Sequence, residues 1–573
     1  MQDRIGGEVL GDYWYKFLSF VPLDVNAPKF FGFSEFLTGL AFMVLAWTIA
    51  DVRYRFRVRT TPIPLQGITF AVMGAVGVLT LLTDLWRAEQ WLAPQINSLT
   101  QSEWQAFLGG VFLLTFFTWA WFAFIRPPVY GRMNARRYAR ALYRTILKGS
   151  PAELSVIADE FAYSAKSLIK HATASRRLDD YPKNSEESKK PPKKLAKVTA
   201  YANDLLLLIA DRRFCRAIVG SSPVTALAIF REIGEAKNYY VPIEVFARNI
   251  VNEAIANKDS FLFHEAEGYE SGLLGYHKPL SQAIFANYRM VEAIGTLFEP
   301  DIWNKEKWDA AQWGAYCRAV LLTFRDCVEK GFGDHAFVLH GAMHRIEHAV
   351  SDLYKINGMT ISAWDDDVQA RLRVVVGFIR DAMEILETKE VPRHIKLRVR
   401  NRQDARNIYD YLAGMMVEVI FYASNVRSPN ELCWWIQHIY LWAELFNFDT
   451  LSGPAAKVVK FKVRRLIYNE VIQMKHFPNF KGARILGFCL NVMGLAIGDD
   501  RYNHDSKALH IGILSWTKKN YAWLHSYNPR VAEACLVDGI TYDEEHLRLV
   551  KTYPAEGLRR EAEYIYFDVD PPS

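Results

Sequence analysis

Four histidines fall within 14 residues: His335, His340, His344 and His348, in GDHAFVLHGAMHRIEHAV. The last three are spaced i, i+4, i+8, so on a helix they share one face, with Glu347 at its edge. Two imidazoles one turn apart can chelate a single zinc ion, which takes neutral ring nitrogens at about 2.0–2.1 Å. His340 and His348 are two turns apart, about 12 Å along a helix axis, so the three do not share one ion and a further ligand must come from elsewhere. Gly341 stands where helices of the H-E-x-x-H type carry their glutamate. The pattern admits zinc, and it equally suits a buried polar seam or a protein interface.

A second concentration is FHEAEGYESGLLGY at 263–276, with His264, Glu265, Glu267 and Glu270, followed by His277 and Lys278. Carboxylates beside imidazole in a glycine-containing loop suit acid–base work or metal binding. His264 and Glu267 are donors this loop could lend to the histidine helix. Two basic clusters follow. One is Arg393, His394, Lys396, Arg398, Arg400, Arg402 and Arg406; the other is Lys457, Lys460, Lys462, Arg464 and Arg465. Converging in space, they would bind phosphate, nucleotide or a nucleic-acid backbone; apart, they are solvated helix faces. No GxxxxGK[ST] loop, GxSxG elbow, H-E-x-x-H helix or kinase signature occurs, which lowers the weight of an enzymatic reading.

The elements that must carry these groups begin with three apolar segments. Residues 61–83 and 104–125 are uncharged and long enough for the roughly 20 residues that a hydrocarbon core about 30 Å thick requires. Residues 36–50 are shorter and reach full length only with Phe30, Phe31 and Phe33. Arginine sets the direction: Arg53, Arg55, Arg57 and Arg59 follow the first segment, Arg87 alone follows the second, and Arg126 to Lys148 bring seven cations after the third. Positive short loops stay in the cytoplasm, so the amino terminus is expected outside and the bulk of the chain inside, on an inner membrane. Small residues at Gly67, Ala71, Gly74, Ala75, Gly77, Gly109 and Gly110 suit close helix packing or a homo-oligomer seam. The absence of ionisable residues mid-segment argues against a transporter.

The expected order is an extracytoplasmic segment over 1–32, with an interfacial helix in its aromatic patch from Tyr13 to Phe20, and three membrane helices over 33–126. Basic juxtamembrane helices that attract anionic lipid then fill 127–175. A polar, proline-containing linker at 176–197 leads to a cytoplasmic helical domain over 198–573. Helical periodicity marks 198–219, 225–235, 243–257, 280–297, 307–330, 335–356, 368–387, 404–423, 430–446, 455–474, 484–497, 507–527 and 542–552, and only EYIYFDV at 563–569 reads as a strand. No repeat is found. The fold class is therefore all-α, a bundle or irregular solenoid with minor β structure at the carboxyl end. Six cysteines without a C-x-x-C suit a reducing compartment. The first 130 residues balance nine basic against nine acidic side chains, so the net charge of +6 lies in the remainder, far short of a dedicated nucleic-acid binder.

These features point to a membrane-anchored cytoplasmic sensor, effector or scaffold. It would bind a partner at the inner face and oligomerise to perturb the membrane, a layout shared by architectural analogy alone with bacterial stress and phage-defence effectors. Two alternatives stay open: a membrane-tethered metal-dependent hydrolase built on the 335–348 helix, and a nucleotide- or nucleic-acid-binding membrane protein using 393–406 and 457–465.

Overall fold

Apolar periodicity of 3.6 dominates this chain, and helices follow from it. The computed structural model describes residues 18–22, 28–49, 51–96, 100–172, 193–265, 278–301, 308–334, 336–359, 367–395, 397, 406–447, 452–497, 505–555 and 561–572. They are mostly helical, and the chain divides into two compact units, Met1–Glu232 and Ile233–Ser573.

The first unit opens with α1 (Phe33–Ile49), α2 (Val52–Thr60), α3 (Leu65–Ala88) and α4 (Gln101–Ala120), the last continued by a wider π turn, Trp121–Ile125. Two of these, α3 and α4 with its π turn, are long and apolar enough to cross a membrane, not the three expected. The first segment stops at Ile49. Asp51 accepts a hydrogen bond from Val52 N and starts α2 as a separate helix, bent by 107° from α1, so α1 meets the length requirement only when counted with α2. The expected Arg53–Arg59 loop is that helix.

Helix α1 nevertheless lies along α3 and α4. Phe36, Val76 and Leu108 form one buried cluster, and Val58, Leu65, Trp119 and Ala123, with Ala46 and Trp47 against them, form another. Lys29 pairs with Asp84 at 3.0 Å, Phe33 N donates to Asp84 Oδ2 at 2.8 Å, and Phe30 N donates to Gln105 Oε1 at 2.9 Å. The start of α1 is thus tied to the end of α3 and the start of α4. On the outer faces Phe42, Phe70, Leu114 and Phe117 are exposed. The small residues divide: Gly77 abuts the Phe36 ring and Gly109 the Phe31 ring, whereas Gly67, Gly74 and Gly110 meet nothing within 4 Å and Ala71 and Ala75 are exposed.

Strand β1 (Leu18–Pro22) pairs antiparallel with β2 (Leu92–Ile96). This corrects the expected interfacial helix where it is described: Leu18–Phe20 belong to a strand, held by a partner 74 residues away that no local pattern announces, and residues 1–17 lie outside the described residues.

Helix α5 (Ala135–Lys148) buries Tyr138, Leu142 and Ile146 and exposes Arg136, Arg140, Arg144 and Lys148. Ser150 and Glu153 cap α6 (Pro151–Ala162) reciprocally. Of the expected linker at 176–197, residues 176–192 lie outside the described residues and the last five are helical instead: they open α7 (Lys193–Leu208), which packs on α5, while α8 (Arg212–Ser221) packs on α6.

In the second unit α9 (Ala310–Glu329) packs along α11 (Asp367–Glu387), and α12 (Ile408–Ala423), buried along nearly its whole length, is flanked by α10 (Phe337–His348) and α13 (Pro454–Gln473). The carboxyl end is an antiparallel meander of β3 (Ile540–Asp543), β4 (Arg548–Tyr553) and β5 (Glu563–Asp568). The expected helix over 542–552 is instead the β3–β4 hairpin. Leu549 and Lys551 are the buried, alternate residues of β4, and Lys551 is held inside by Asp538 at 2.7 Å. An inward lysine hides the period of two from a hydropathy reading.

Candidate functional site

Helix α10 carries the histidines. His344 Nδ1 hydrogen-bonds Glu347 Oε1, and the His344 and His348 rings meet edge to face with centroids 4.6 Å apart. One donor atom from each of His344, Glu347 and His348 lies within 4.8 Å of the others. Glu347 is fully buried while both imidazoles are exposed. Tyr422 Oη lies 3.5 Å from His348 Nδ1. His340, one turn earlier, is stacked on Tyr411 with centroids 4.2 Å apart and is not in this group. His264 is exposed and also not in the group, and Glu267 and His335 lie outside the described residues. An H-E-x-x-H helix has its glutamate directly after the first histidine, where this chain has Gly341. His344-Arg345-Ile346-Glu347-His348 has the mirror order, H-x-x-E-H, in which the carboxylate directly precedes the second imidazole. That signal was present in the sequence.

The 264–278 segment frames a different feature. Its two flanks, Glu265 and Lys278, lie at the floor of a cavity of about 610 Å³, and 266–277 are outside the described residues. Glu265, Lys278 and Ser281 are buried. The Glu265 carboxylate accepts hydrogen bonds from Leu280 N at 3.2 Å and Ser281 N at 2.7 Å, which offsets the cost of burying it. Burial lowers the Lys278 pKa, against the pull of Glu265 and with the push of Arg318. Ser281 Oγ meets no hydrogen-bond partner among the described residues. Leu262, Phe263, Phe285 and Ile385 give the cavity apolar walls, and the exposed Arg325, Glu329 and Glu384 line its mouth. A concave, mostly apolar space with a few convergent polar groups is the usual form of a small-molecule site.

Comparison with protein-family models, curated proteins and solved structures finds no match. Function has to be read from the chain's own groups.

The second basic cluster does not present one face. Lys462 Nζ is buried and bonds Asp410 Oδ1 at 2.6 Å, and the buried Lys460 donates to Phe446 O at 3.2 Å. Burial lowers the Arg464 pKa. Lys457 is exposed and Arg465 half-buried. In the first cluster Arg393 is exposed, and Lys396, Arg398, Arg400 and Arg402 lie outside the described residues. Sequence reasoning missed Ser281 and Arg318 as cavity residues, because neither stands in a motif.

Proposed function

We propose that this chain is a membrane-anchored receptor: the first unit holds it in a bilayer, and the second recognises a small ligand with both polar and apolar parts. The observation that carries the reading is the cavity whose floor buries Glu265, Lys278 and Ser281. The Ser281 hydroxyl there meets no hydrogen-bond partner among the described residues, and a buried polar group of that kind is costly unless a ligand with a matching group occupies the space.

The anchor is supported by strand parity. An open two-stranded ladder does not survive inside hydrocarbon, so β1 and β2 lie together on one side of any bilayer that α3 crosses. The chain between them then crosses an even number of times, and α1 crosses with α3. Seventeen residues at about 1.5 Å each give about 25 Å, a modest mismatch that local thinning accommodates. Exposed Phe42, Phe70 and Leu114 face lipid in this arrangement. In this reading helix α4 makes the third crossing, the arginines of α2 and α5 favour the cytoplasm for the side beyond it, and the exposed cations of α5 lie near anionic headgroups.

Two measurements test this. The membrane-bound fraction should resist alkaline carbonate extraction; release into the supernatant removes the anchor. Small molecules released by denaturing the purified, detergent-solubilised chain should include a species, identified by mass spectrometry, that is depleted in Leu322→Trp, which narrows the cavity, and in Lys278→Met. The same small molecules at the same level in all three proteins would overturn the receptor reading.

A further inference from the structure

The cavity leaves the α10 histidines unused. We infer that His344, Glu347 and His348 form a binding site for one divalent transition-metal ion of the zinc class, with a coordination position open to solvent. This site is independent of the receptor reading.

The donor set is two imidazole nitrogens and one carboxylate oxygen. Nitrogen donors of this kind select zinc and its neighbours over magnesium or calcium, which take oxygen ligands. Tetrahedral zinc with bonds near 2.1 Å needs its ligands roughly 3.4 Å apart. The three donors already lie within 4.8 Å, so rotation of the two exposed rings brings them into range without moving the helix. The buried carboxylate supplies the negative charge, and because Glu347 is fully buried on α10, it fixes the site to that helix rather than to a mobile surface chain. Its contact with His344 Nδ1 shows that the ring already turns toward it. Tyr422 Oη beside His348 Nδ1 can orient the second ring and leave Nε2 for the ion, as outer-shell partners of ligating histidines do. Three protein donors with both rings at the surface leave the fourth position to water, the arrangement of reactive rather than purely structural zinc sites. His340 takes no part, because its ring is committed to Tyr411.

The alternative occupant is a proton: a His344–Glu347 ion pair with no metal. The two separate by metal analysis of the full chain in detergent, first stripped with EDTA, then equilibrated with zinc chloride and desalted. About one zinc per chain is expected in the wild type and in His340→Ala, and less than about a tenth in His344→Asn/His348→Asn. Zinc should also raise the unfolding temperature of the wild type but not of the double variant. If the double variant does not fold, His344→Asn alone, which alters an exposed ring, should still lower zinc affinity at least tenfold. Less than a tenth of an ion in the wild type, or an undiminished ion in a folded His344 variant, overturns the site.

Discussion

Arg57 and Glu160 form a buried, two-pronged ion pair across 103 residues of sequence: Arg57 Nε donates to Glu160 Oε2 and Nη2 to Oε1, each at 2.7 Å. Nη1 of the same guanidinium donates to Ala123 O at 3.1 Å, capping carbonyls that the end of α4 leaves without helical partners. One arginine therefore joins α2, the end of α4 and α6. Arg55 and Arg59, its neighbours in the same cluster, are exposed. Removing one partner of a buried pair strands the other, at about 3–5 kcal/mol. Glu160→Ala should cost on that scale in chemical unfolding, Arg57→Ala less, because Arg53 Nε lies 3.3 Å from Glu160 Oε1 and still partners the carboxylate, and Arg57→Lys part of it, since an ammonium cannot reproduce the fork. Arg55→Ala and Arg59→Ala should cost less than about 0.5 kcal/mol.

The Lys462–Asp410 pair gives a parallel expectation in the second unit, with a different consequence for function. Lys462→Ala leaves the Asp410 carboxylate buried without its cation and should destabilise by about 3–5 kcal/mol, whereas Lys462→Met with Asp410→Leu should recover most of that loss. Phosphate or nucleic-acid binding, were it present, would track the exposed Lys457 instead. Salt-dependent binding lost in Lys457→Ala but kept in a folded Lys462→Met/Asp410→Leu variant would restore the basic-cluster reading.

Gly74 and Gly77 look equivalent in sequence and are not. A Cβ on Gly77 would come within 2.7 Å of the Phe36 ring, whereas Gly74 has open space. Gly77→Leu should destabilise the α1–α3 contact by about 1–3 kcal/mol, the usual cost of overpacking. Gly74→Leu should leave stability unchanged. If copies of the chain associate along the Gly67, Ala71, Gly74 and Ala75 face, crosslinked oligomers in membranes should fall in Gly74→Leu at unchanged stability.

The parts legible in the sequence are those set by local pattern. Helices α3 and α4 follow from uninterrupted apolar length, most helices of the second unit from 3.6-residue periodicity, and the start of α6 from Ser150 and Glu153. What stayed hidden depends on partners distant in sequence. Asp51 is in sequence only a charge after the first apolar segment until it is seen capping α2. Arg57 and Lys462 read as surface cations until Glu160 and Asp410 are found against them. The β1–β2 pairing has no local mark, and Pro22 and Pro94 speak against strands there. At the candidate metal site the i, i+4 spacing of His344 and His348 was readable, but which of His340 and His348 would share an ion with His344 depended on Tyr411, in another helix.

The pH dependence of stability follows from thiols with no role in either proposed site. All six cysteines are buried. Burial pushes Cys327, Cys433 and Cys535 up to about 12 and raises Cys317 and Cys489 as well. The native thiols thus keep their protons after those of the unfolded chain begin to ionise, near 8.5. Above that pH the unfolded state binds fewer protons, so stability falls as pH rises, by about 1.4 kcal/mol per thiol per pH unit. Lys278 works in the opposite sense, because its lowered pKa means that the unfolded chain holds the extra proton until about 10.4. One lysine does not offset five thiols. Unfolding free energies measured in detergent at pH 7.5, 8.5 and 9.5 should therefore fall by about 2 kcal/mol over the first step and by about 5 kcal/mol over the second. A thiol reagent at pH 8 should find no reactive cysteine in the native chain and six after denaturation. Stability that is flat through pH 9.5 would mean that these thiols ionise in the native chain or are already accessible to water.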